Sequence, residues 1–411
     1  MANSTPSLSE GPSVGAYADA PARWSAVYAM ALCSFVLIAS EFMPVSLLSP
    51  IAASLDLTEG QAGQAIAISG LFAVFTSLTI SGLLGQADRK RVLLALTALL
   101  VVSGALVAFA PSYPIMMFGR AILGIAIGGF WSMSAAIAMR LVPSQSVPKA
   151  LAIISAGNAL ATTLAPPLGS LMGGFVGWRI AFFCVVPVAV LAIVWQAFTL
   201  PALPGEKAGK SGAIWNLLRR PALLFGLITV AMLFVGQFAL FTYLRPFLEQ
   251  VTHVGVSLLS VMLLIVGASG FAGTLVIGRI VDKALFVILT ALPAIMALVA
   301  LALALLGGSA PAVALLLAIW GFAGTAAPVA WWTWLARTVP DEAEAGGGLM
   351  VAIVQLAITL GATVGGFVFD AAGAKLEFLS CSILLAVAAI AAFALARRFG
   401  GAAARPLPTA T

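Results

Sequence analysis

The 411-residue chain is 62% hydrophobic and only 8% charged, and its mean hydropathy is +1.13. Soluble domains carry about a quarter charged residues, so this composition excludes a soluble globular protein. Because the apolar residues are spread along the whole chain, the sequence predicts an all-α polytopic membrane protein. The net charge of +6 follows the predicted membrane topology, and it does not indicate binding to nucleic acid.

Apolar runs separated by short polar or Gly/Pro-containing breaks predict twelve membrane-spanning helices. The predicted spans are 24–48, 61–85, 92–110, 115–141, 148–170, 178–200, 221–245, 256–281, 284–306, 311–337, 345–369 and 376–397. The longest polar connection, residues 201–220, is predicted as a cytoplasmic linker between an N-terminal six-helix bundle (23–200) and a C-terminal one (221–398). Residues 1–22 are predicted as a disordered cytoplasmic tail, and residues 399–411 as a second cytoplasmic tail.

The positions of lysine and arginine predict the orientation in the membrane. Sixteen of these 20 residues fall on one side of the predicted spans, three fall on the other side, and Arg120 lies within a span. Positively charged loops stay in the cytoplasm, so both termini are predicted to be cytoplasmic.

The two halves share landmarks at nearly the same offset. Asp88 and Asp282 each lie after a span and before basic residues, and they are 194 positions apart. Gly169 and Gly366 occupy glycine-rich spans and are 197 positions apart. This pattern indicates an internal duplication, and duplicated membrane bundles commonly bind their ligand between the repeats near the midplane.

Two opposite charges are predicted to lie inside the membrane. Glu41 is the one acid of the apolar first span, and Arg120 shares a helical face with Gly124 and Gly128 in span four. A charge in a spanning helix costs about 2.5–3.5 kcal/mol, so each needs a partner or a function. Both lie at similar depth, which predicts that they meet. They form either a proton-coupling pair or a structural ion pair that holds two helices in register.

Prolines inside the spans predict local distortions. Pro44 removes a backbone hydrogen bond three residues after Glu41, which predicts either a hinge beside the acid or an ordinary kinked span. In span five, Pro166, Pro167 and Gly169 predict a specific bend, the alternative being close packing alone.

Charged segments near the membrane surface predict a gate. Topology explains the basic residues of the turn from Asp88 to Arg91, but it does not explain the aspartate. Span eleven begins with acids, which favour a helix N-terminus. We predict that these two segments form a cytoplasmic latch, built from Asp88, Arg89, Lys90, Arg91, Asp341, Glu342 and Glu344.

Aromatic and amide side chains within the spans predict a cavity for a flat polar ligand, since rings stack and amides orient. The candidate residues are Trp131, Asn158, Gln237, Thr325, Trp331 and Gln355. The alternatives are tryptophans in the interfacial belt, which is our prediction for Trp334, and amides that only bond helix to helix.

The sequence lacks the residues that several other chemistries need. It has one histidine, no HExxH motif and no Asp-rich cluster, and its three cysteines lie far apart in apolar spans. A phosphate-binding GxxxxGK[ST] loop is also missing from the sequence. We therefore expect neither an enzyme nor a metal, disulfide or ATP site.

The chain from about residue 24 to 398 resembles the major facilitator superfamily, specifically its twelve-span drug:proton antiporters. The resemblance rests on the loop Gly278–Lys283, on Arg120 with Gly124 and Gly128, and on the span-five run Ala165–Gly169. In the first half the loop motif is shortened, with Leu84 in place of its usual glycine.

Further segments resemble particular exporters of this superfamily. The segment Ser40–Pro44 is similar to bacterial sugar and nucleoside efflux permeases. The runs 128–143 and 328–357 are most similar to purine ribonucleoside efflux pumps.

The resemblance implies a monomeric antiporter of the bacterial inner membrane that exports purine ribonucleosides and uses the proton gradient instead of a cofactor. Glu41 would carry the proton with Arg120 as its partner. Gating would use Asp88, Arg89, Arg91, Asp282, Asp341, Glu342, Glu344, Pro166 and Gly169. The alternatives are a sugar or multidrug exporter and, from a different class, a transport-dead sensor or membrane-embedded enzyme.

Overall fold

A computed structural model describes residues 22–204, 217–339 and 342–403, so the predicted tails and most of the predicted linker lie largely outside the described ranges. Every regular element in these ranges is helical. The α-helices are α1 Trp24–Leu55, α2 Glu59–Leu84, α3 Arg89–Ala108, α4 Tyr113–Leu141, α5 Val147–Phe175, α6 Trp178–Phe183, α7 Val185–Thr199, α8 Pro221–Thr242, α9 Leu244–Gln250, α10 Val256–Leu306, α11 Ala310–Thr338 and α12 Ala343–Ala403.

The described helices make the twelve predicted crossings. Ten continuous helical stretches are long and apolar enough to span a membrane within the described ranges. Helix α10 has 51 residues and α12 has 61, which is more than twice the roughly 20 residues that cross a bilayer. Each is broken once, at Ala284 (φ −131°, ψ 27°) and at Gly373 (φ 79°, ψ 171°), and therefore crosses twice. The positive φ at Gly373 is one that only glycine adopts readily.

The first span is longer than the sequence predicted. We expected it to end at residue 48, before Pro50, but α1 continues through Pro50 to Leu55. The prediction was wrong because packing holds this part of the helix, as the full burial of Ile51 shows. Two prolines, Pro44 and Pro50, thus lie inside α1.

The helix bundle has a basic end and a distal end. The basic end carries Arg23, Asp88, Arg140 and Arg220, and the distal end carries Thr58, Arg179 and Asp370. Helices α1 to α7 form one six-span bundle and α8 to α12 form the other. The bundles meet where α2 packs on α12 and where α5 packs on α10.

Small residues allow the two bundles to approach closely. A Cβ atom added at Gly366 would lie 3.0 Å from the Cα atom of Gly60 in the opposite bundle. A Cβ atom added at Gly267 would lie 2.6 Å from the carbonyl oxygen of Thr163. Membrane helices associate through such close backbone contacts, because lipid removes the hydrophobic driving force between them.

Hydrogen bonds between the bundles run from the middle of the spans to the distal end. The hydroxyl of Thr359 donates to the carbonyl of Ala67 over 3.2 Å, and Ser260 donates to Ser170 over 2.9 Å. In the described residues, none of these bonds lies toward the basic end. The conformation is therefore closed at the distal end.

At the basic end, the Asp88 turn binds the start of the connection between the bundles. Oδ1 of Asp88 accepts from the backbone N–H groups of Lys90 and Leu203, each over 2.9 Å. The backbone N–H of Arg89 donates to the Leu203 carbonyl over 2.8 Å, and Arg140 donates to the Pro204 carbonyl over 2.8 Å. Asp88 is thus both the N-cap of α3 and an anchor for the connecting segment.

The predicted latch stays a prediction for a conformation closed at the basic end. Here Glu342 forms an ion pair with Arg220, and Arg337 pairs with Asp282 over 2.6 Å. Asp341 and the side chain of Glu344 lie outside the described residues. Neither ion pair reaches the N-terminal bundle.

We expect Asp88→Ala to lower the free energy of unfolding by about 0.5–2 kcal/mol, because α3 loses its N-cap. Asp88→Asn should cost less, since its amide oxygen still accepts both bonds. Partial burial raises the pKa of Asp88, but the N–H groups of Leu203 and Lys90 and the neighbouring cations outweigh it, so that the pKa lies below 3.8. The carboxylate therefore stabilises the fold above this value and loses its effect as the pH falls through the folded-state pKa.

Thermal unfolding of purified protein across a pH series measures both effects. The matched control is Asp56→Asn, which changes an exposed carboxylate at the distal end. Equal stability of Asp88→Ala and the wild type at neutral pH would contradict the anchor.

Candidate functional site

Pro44 creates the first feature of the site. Proline has no N–H, so the carbonyl of the residue four positions earlier, Ser40, lacks its helical donor. Nη1 of Arg120 donates to this carbonyl over 2.6 Å. The proline and the buried arginine are therefore two parts of one arrangement.

The other two guanidinium nitrogens of Arg120 also donate to oxygen acceptors. Nε donates to the Ala65 carbonyl over 2.7 Å, and Nη2 donates to the Glu41 carbonyl and the Ser69 hydroxyl over 2.9 and 3.1 Å. Arg120 is only 1% exposed, and hydrogen bonds of this kind offset the cost of burying a cation. They also fasten α4 to α1 and α2.

Glycines in α4 make this arrangement possible. A Cβ atom at Gly124 would collide with the backbone oxygen of Ser69, and one at Gly128 would collide with that of Ala73. The predicted face of Arg120, Gly124 and Gly128 thus packs directly on the backbone of α2.

Glu41 lies beside Arg120, as its depth predicted, but the arginine binds the backbone carbonyl rather than the carboxylate. The glutamate is 1% exposed, and its Oε1 accepts from Nε2 of Gln355 over 3.2 Å. Ion pairs within 4.0 Å in the described residues join Arg220–Glu342, Arg245–Glu249 and Arg337–Asp282. The structural ion pair that we considered for Glu41 and Arg120 does not form in this conformation.

Gln355 belongs to α12, so the Glu41 carboxylate receives its hydrogen bond from the opposite bundle. A buried carboxylate with a single neutral donor accepts a proton more readily than one held by a cation. Movement of one bundle against the other removes this donor and changes the hydration of the acid. In this conformation the hydrogen bond at Glu41 therefore connects the two bundles.

The tryptophans predicted for the cavity occupy different surroundings. Trp331 is 2% exposed and packs edge-on against Trp334, with ring centroids 5.4 Å apart. Trp334 is also 2% exposed, so its predicted place in the interfacial belt was wrong. Trp131 is half-buried and meets Phe130 edge-on at 5.4 Å. Of the two candidate stacking residues, Trp131 alone is partly exposed in this conformation.

The polar candidates contact protein groups, but two of them retain unused atoms. Within α5, Thr162 donates to Oδ1 of Asn158 over 3.3 Å. Between helices, Nε2 of Gln237 donates to the Gly324 carbonyl over 3.2 Å. Thr325 meets Gly270 where α11 crosses α10. Oε1 of Gln237 and of Gln355 are buried and have no partner among the described residues.

The bend motif of span five faces span one. Pro166 and Gly169 are both buried in a continuous helix. A Cβ atom at Gly169 would lie 2.5 Å from the Ser46 hydroxyl, so this glycine permits the packing of α5 on α1.

A second proline–arginine arrangement was not predicted from the sequence. Pro50 leaves the carbonyl of Ser46 without a helical donor, and Arg245 of the opposite bundle donates to it. Arg245 is 3% exposed and also pairs with Glu249 over 2.8 Å. From the sequence, Arg245 was only counted among the three basic residues on the outer side, at the end of the span 221–245; the usable signal was a second proline in span one.

A carboxylate that joins the bundles at the distal end was also missed. Oδ2 of Asp370 accepts from the Thr58 hydroxyl over 2.6 Å, and its Oδ1 accepts from the Gly60 N–H over 2.9 Å. Thr58 is the N-cap of α2, so Asp370 of α12 lies at the N-terminus of a helix from the other bundle. An anion is favourable there.

We expect Arg120 and Pro44 to be energetically coupled. In the Pro44→Ala variant, residue 44 regains an N–H that bonds the Ser40 carbonyl. Arg120→Lys should therefore cost less stability in the Pro44→Ala background than in the wild type. The expected coupling is about 0.5–3 kcal/mol, the range for residues in one hydrogen-bond network. Chemical unfolding of the purified single and double variants measures it.

Pro50→Ala provides the matched control, because Pro50 frees the carbonyl that Arg245 occupies. Arg120→Lys and Pro50→Ala should be additive. Equal coupling of Arg120 to both prolines, or none to either, would show that the freed carbonyls do not decide where the arginine binds.

Comparisons with known proteins bear on this site. The sequence profile of the Major Facilitator Superfamily matches residues 30–353. The chain is 53% identical over 378 residues to the Transcription regulatory protein OpdE of Pseudomonas aeruginosa, covering 91% of this chain and 94% of that protein. It is 41% identical over 379 residues to the Purine ribonucleoside efflux pump NepI of Salmonella enteritidis PT4, covering 91% and 96%.

Solved structures show the same fold. A bacterial homologue of the human lysosomal transporter Spinster, in an inward-facing and unoccupied conformation, superposes with a TM-score of 0.77 at 17% identity, covering 95% of this chain and 99% of that one. The human organic anion transporter MFSD10 (TETRAN) gives a TM-score of 0.64 at 18% identity, covering 90% and 99%. With the profile match and these relatives, the chain belongs to the Major Facilitator Superfamily of membrane transporters.

Proposed function

We propose that this transporter is a proton-coupled antiporter that exports purine ribonucleosides across the bacterial inner membrane. The observation that carries the proposal is the carboxylate of Glu41, buried between the bundles and held by a neutral amide from the opposite one. The similarity to NepI, which is named a purine ribonucleoside efflux pump, supports the solute class. In this proposal the basic end faces the cytoplasm, as the distribution of lysine and arginine predicts.

Arg120 and Gln355 have different parts in the proposed cycle. Arg120 binds oxygens of α1 and α2, so it moves with the N-terminal bundle and keeps a fixed positive charge beside Glu41. Gln355 moves with the C-terminal bundle, so its hydrogen bond to Glu41 breaks when the bundles rotate. Protonation of Glu41 and the position of the bundles are then linked, as antiport requires.

Trp131 is the proposed stacking residue for the base. It is the partly exposed member of the candidate pair, and base–aromatic stacking is worth about 1–3 kcal/mol. The unpaired Oε1 atoms of Gln237 and Gln355 are acceptors that an amino group or a ribose hydroxyl would satisfy. These amides would orient the solute.

A membrane sensor is the second candidate. The relative at 53% identity is named a transcription regulatory protein, and a transport-dead sensor would keep this fold. Everted membrane vesicles separate the two candidates: acidification of the lumen drives nucleoside uptake by an antiporter and none by a sensor.

We expect Glu41→Gln to abolish concentrative uptake of adenosine or inosine into everted vesicles, because an amide cannot bind and release the proton. Downhill exchange should persist, since glutamine resembles the protonated acid in shape and polarity. Asp56→Asn is the control that removes an exposed carboxylate and should leave uptake unchanged. If Glu41→Gln vesicles still concentrate the nucleoside in response to a pH step, Glu41 is not the carrier.

We expect Trp131→Ala to weaken nucleoside binding to the purified protein at least about fivefold, because about 1 kcal/mol of stacking corresponds to that ratio. Isothermal calorimetry with inosine measures the affinity. Trp332→Ala is the matched control, since this ring is 43% exposed on the neighbouring bundle and is not a stacking candidate. Equal affinities of the Trp131→Ala protein and the wild type would remove Trp131 from the site.

A further inference from the structure

We propose that Glu377 is a second proton-binding site, one that belongs to the distal gate: it holds a proton while the distal end is closed and releases it when the end opens. This inference concerns the equilibrium between the two conformations and does not depend on the identity of the solute.

The carboxyl group of Glu377 is buried and has few hydrogen-bond partners. The residue is 0% exposed in the C-terminal bundle. Its Oε1 accepts a hydrogen bond from the thiol of Cys381 over 3.0 Å, and its Oε2 has no partner among the described residues. A charged carboxylate with one weak donor is strongly disfavoured in such a place, whereas a neutral carboxylic acid is tolerated.

The elements around Glu377 provide no cation to replace the proton. From the end of α8, Tyr243 lies near both Glu377 and Asp370, and its hydroxyl donates to the Ala362 carbonyl over 2.7 Å. On α9, Phe247 stacks on Phe378 at 4.2 Å, while Arg245 is bound to Ser46 and Glu249. The second half of α10 packs on this part of α12, and Ser382 donates to its Ala297 carbonyl. From residue 285 to 306, this half of α10 contains only apolar residues and Thr290. Two further charged residues lie in this region. Lys375 is exposed, and Glu59 lies near Tyr243 at the start of α2.

The backbone connects Glu377 to the distal contact between the bundles. Asp370, which binds Thr58 and Gly60 of the opposite bundle, precedes the break at Gly373, and Glu377 follows it by four residues. Opening the distal end has to withdraw Asp370 from α2, and this displaces the segment that carries Glu377. Water that enters the opened end then reaches the acid and allows it to ionise.

A proton on Glu377 has a defined effect on the equilibrium between the two conformations. A proton on Glu377 is compatible only with the closed, dry environment, so it favours closing at low pH. Binding of a proton to one conformation shifts the equilibrium toward that conformation.

The test measures the opening of the distal end as a function of pH in the full-length protein in lipid nanodiscs. Spin labels are placed at Ala53→Cys and Ser309→Cys, exposed distal positions on the two bundles, after the exposed Cys184 is replaced by Ser. All proteins carry Glu41→Gln, so that Glu41 cannot contribute to the titration. Pulsed electron spin resonance gives the distance distribution and hence the ratio of open to closed molecules.

We expect this ratio to rise with pH, by up to about tenfold per pH unit over the range in which one proton is lost. Glu377→Gln and the apolar Glu377→Met should both make this ratio independent of pH. The second variant keeps the test possible if the first does not fold. Lys375→Gln, the matched control on the same segment, should keep it.

The proposal is overturned if both Glu377 variants keep the pH dependence, if the ratio does not change with pH, or if the distal end opens as the pH falls. Failure of nucleoside transport, in contrast, would refute the proposed function and leave these distances unaffected.

Discussion

The arrangement of this protein depends on the hydrogen bonds that two prolines remove from span one. Pro44 leaves the carbonyl of Ser40 without a donor, and Pro50 does the same to Ser46. In a membrane an unpaired carbonyl costs several kcal/mol, and water is not there to satisfy it. Arg120 and Arg245 occupy the two carbonyls. The position of each buried arginine is thus explained by the backbone carbonyl to which it donates.

The two arginines differ in which bundle they come from. Arg120 belongs to the same bundle as α1, so its bond to Ser40 lies within that bundle. Arg245 comes from the opposite bundle, so its bond to Ser46 joins the two bundles in this conformation, which is closed at the distal end. Asp370 adds a second contact between the bundles, to Thr58 and Gly60. Span one therefore carries one arginine bond within its own bundle and one between the bundles.

Features that depend on position along the chain could be predicted from the sequence. Features that depend on which groups a side chain contacts in the folded protein could not. Twelve spans follow from apolar length, and the proximity of Glu41 to Arg120 follows from equal depth. That the guanidinium binds a carbonyl rather than the carboxylate requires knowing which backbone groups Pro44 leaves free. Trp331 looked available for stacking because the sequence does not show that Trp334 covers it. Glu377 was overlooked because it lies at the start of its predicted span, where an acid is expected to be exposed at the membrane surface.

The buried acids of this transporter differ from several acids near its ends in the donors that they receive. At the basic end two acids pair with arginine, Glu342 with Arg220 and Asp282 with Arg337. The fully buried acids instead receive neutral donors, Gln355 for Glu41 and the Cys381 thiol for Glu377. A carboxylate held by an arginine stays charged, because the cation stabilises the ionised form. Pro44 gives Arg120 a backbone carbonyl as an acceptor, and the Glu41 carboxylate accepts from Gln355 rather than from this arginine. In the proposed transport cycle, this is what leaves Glu41 able to take up and release the proton.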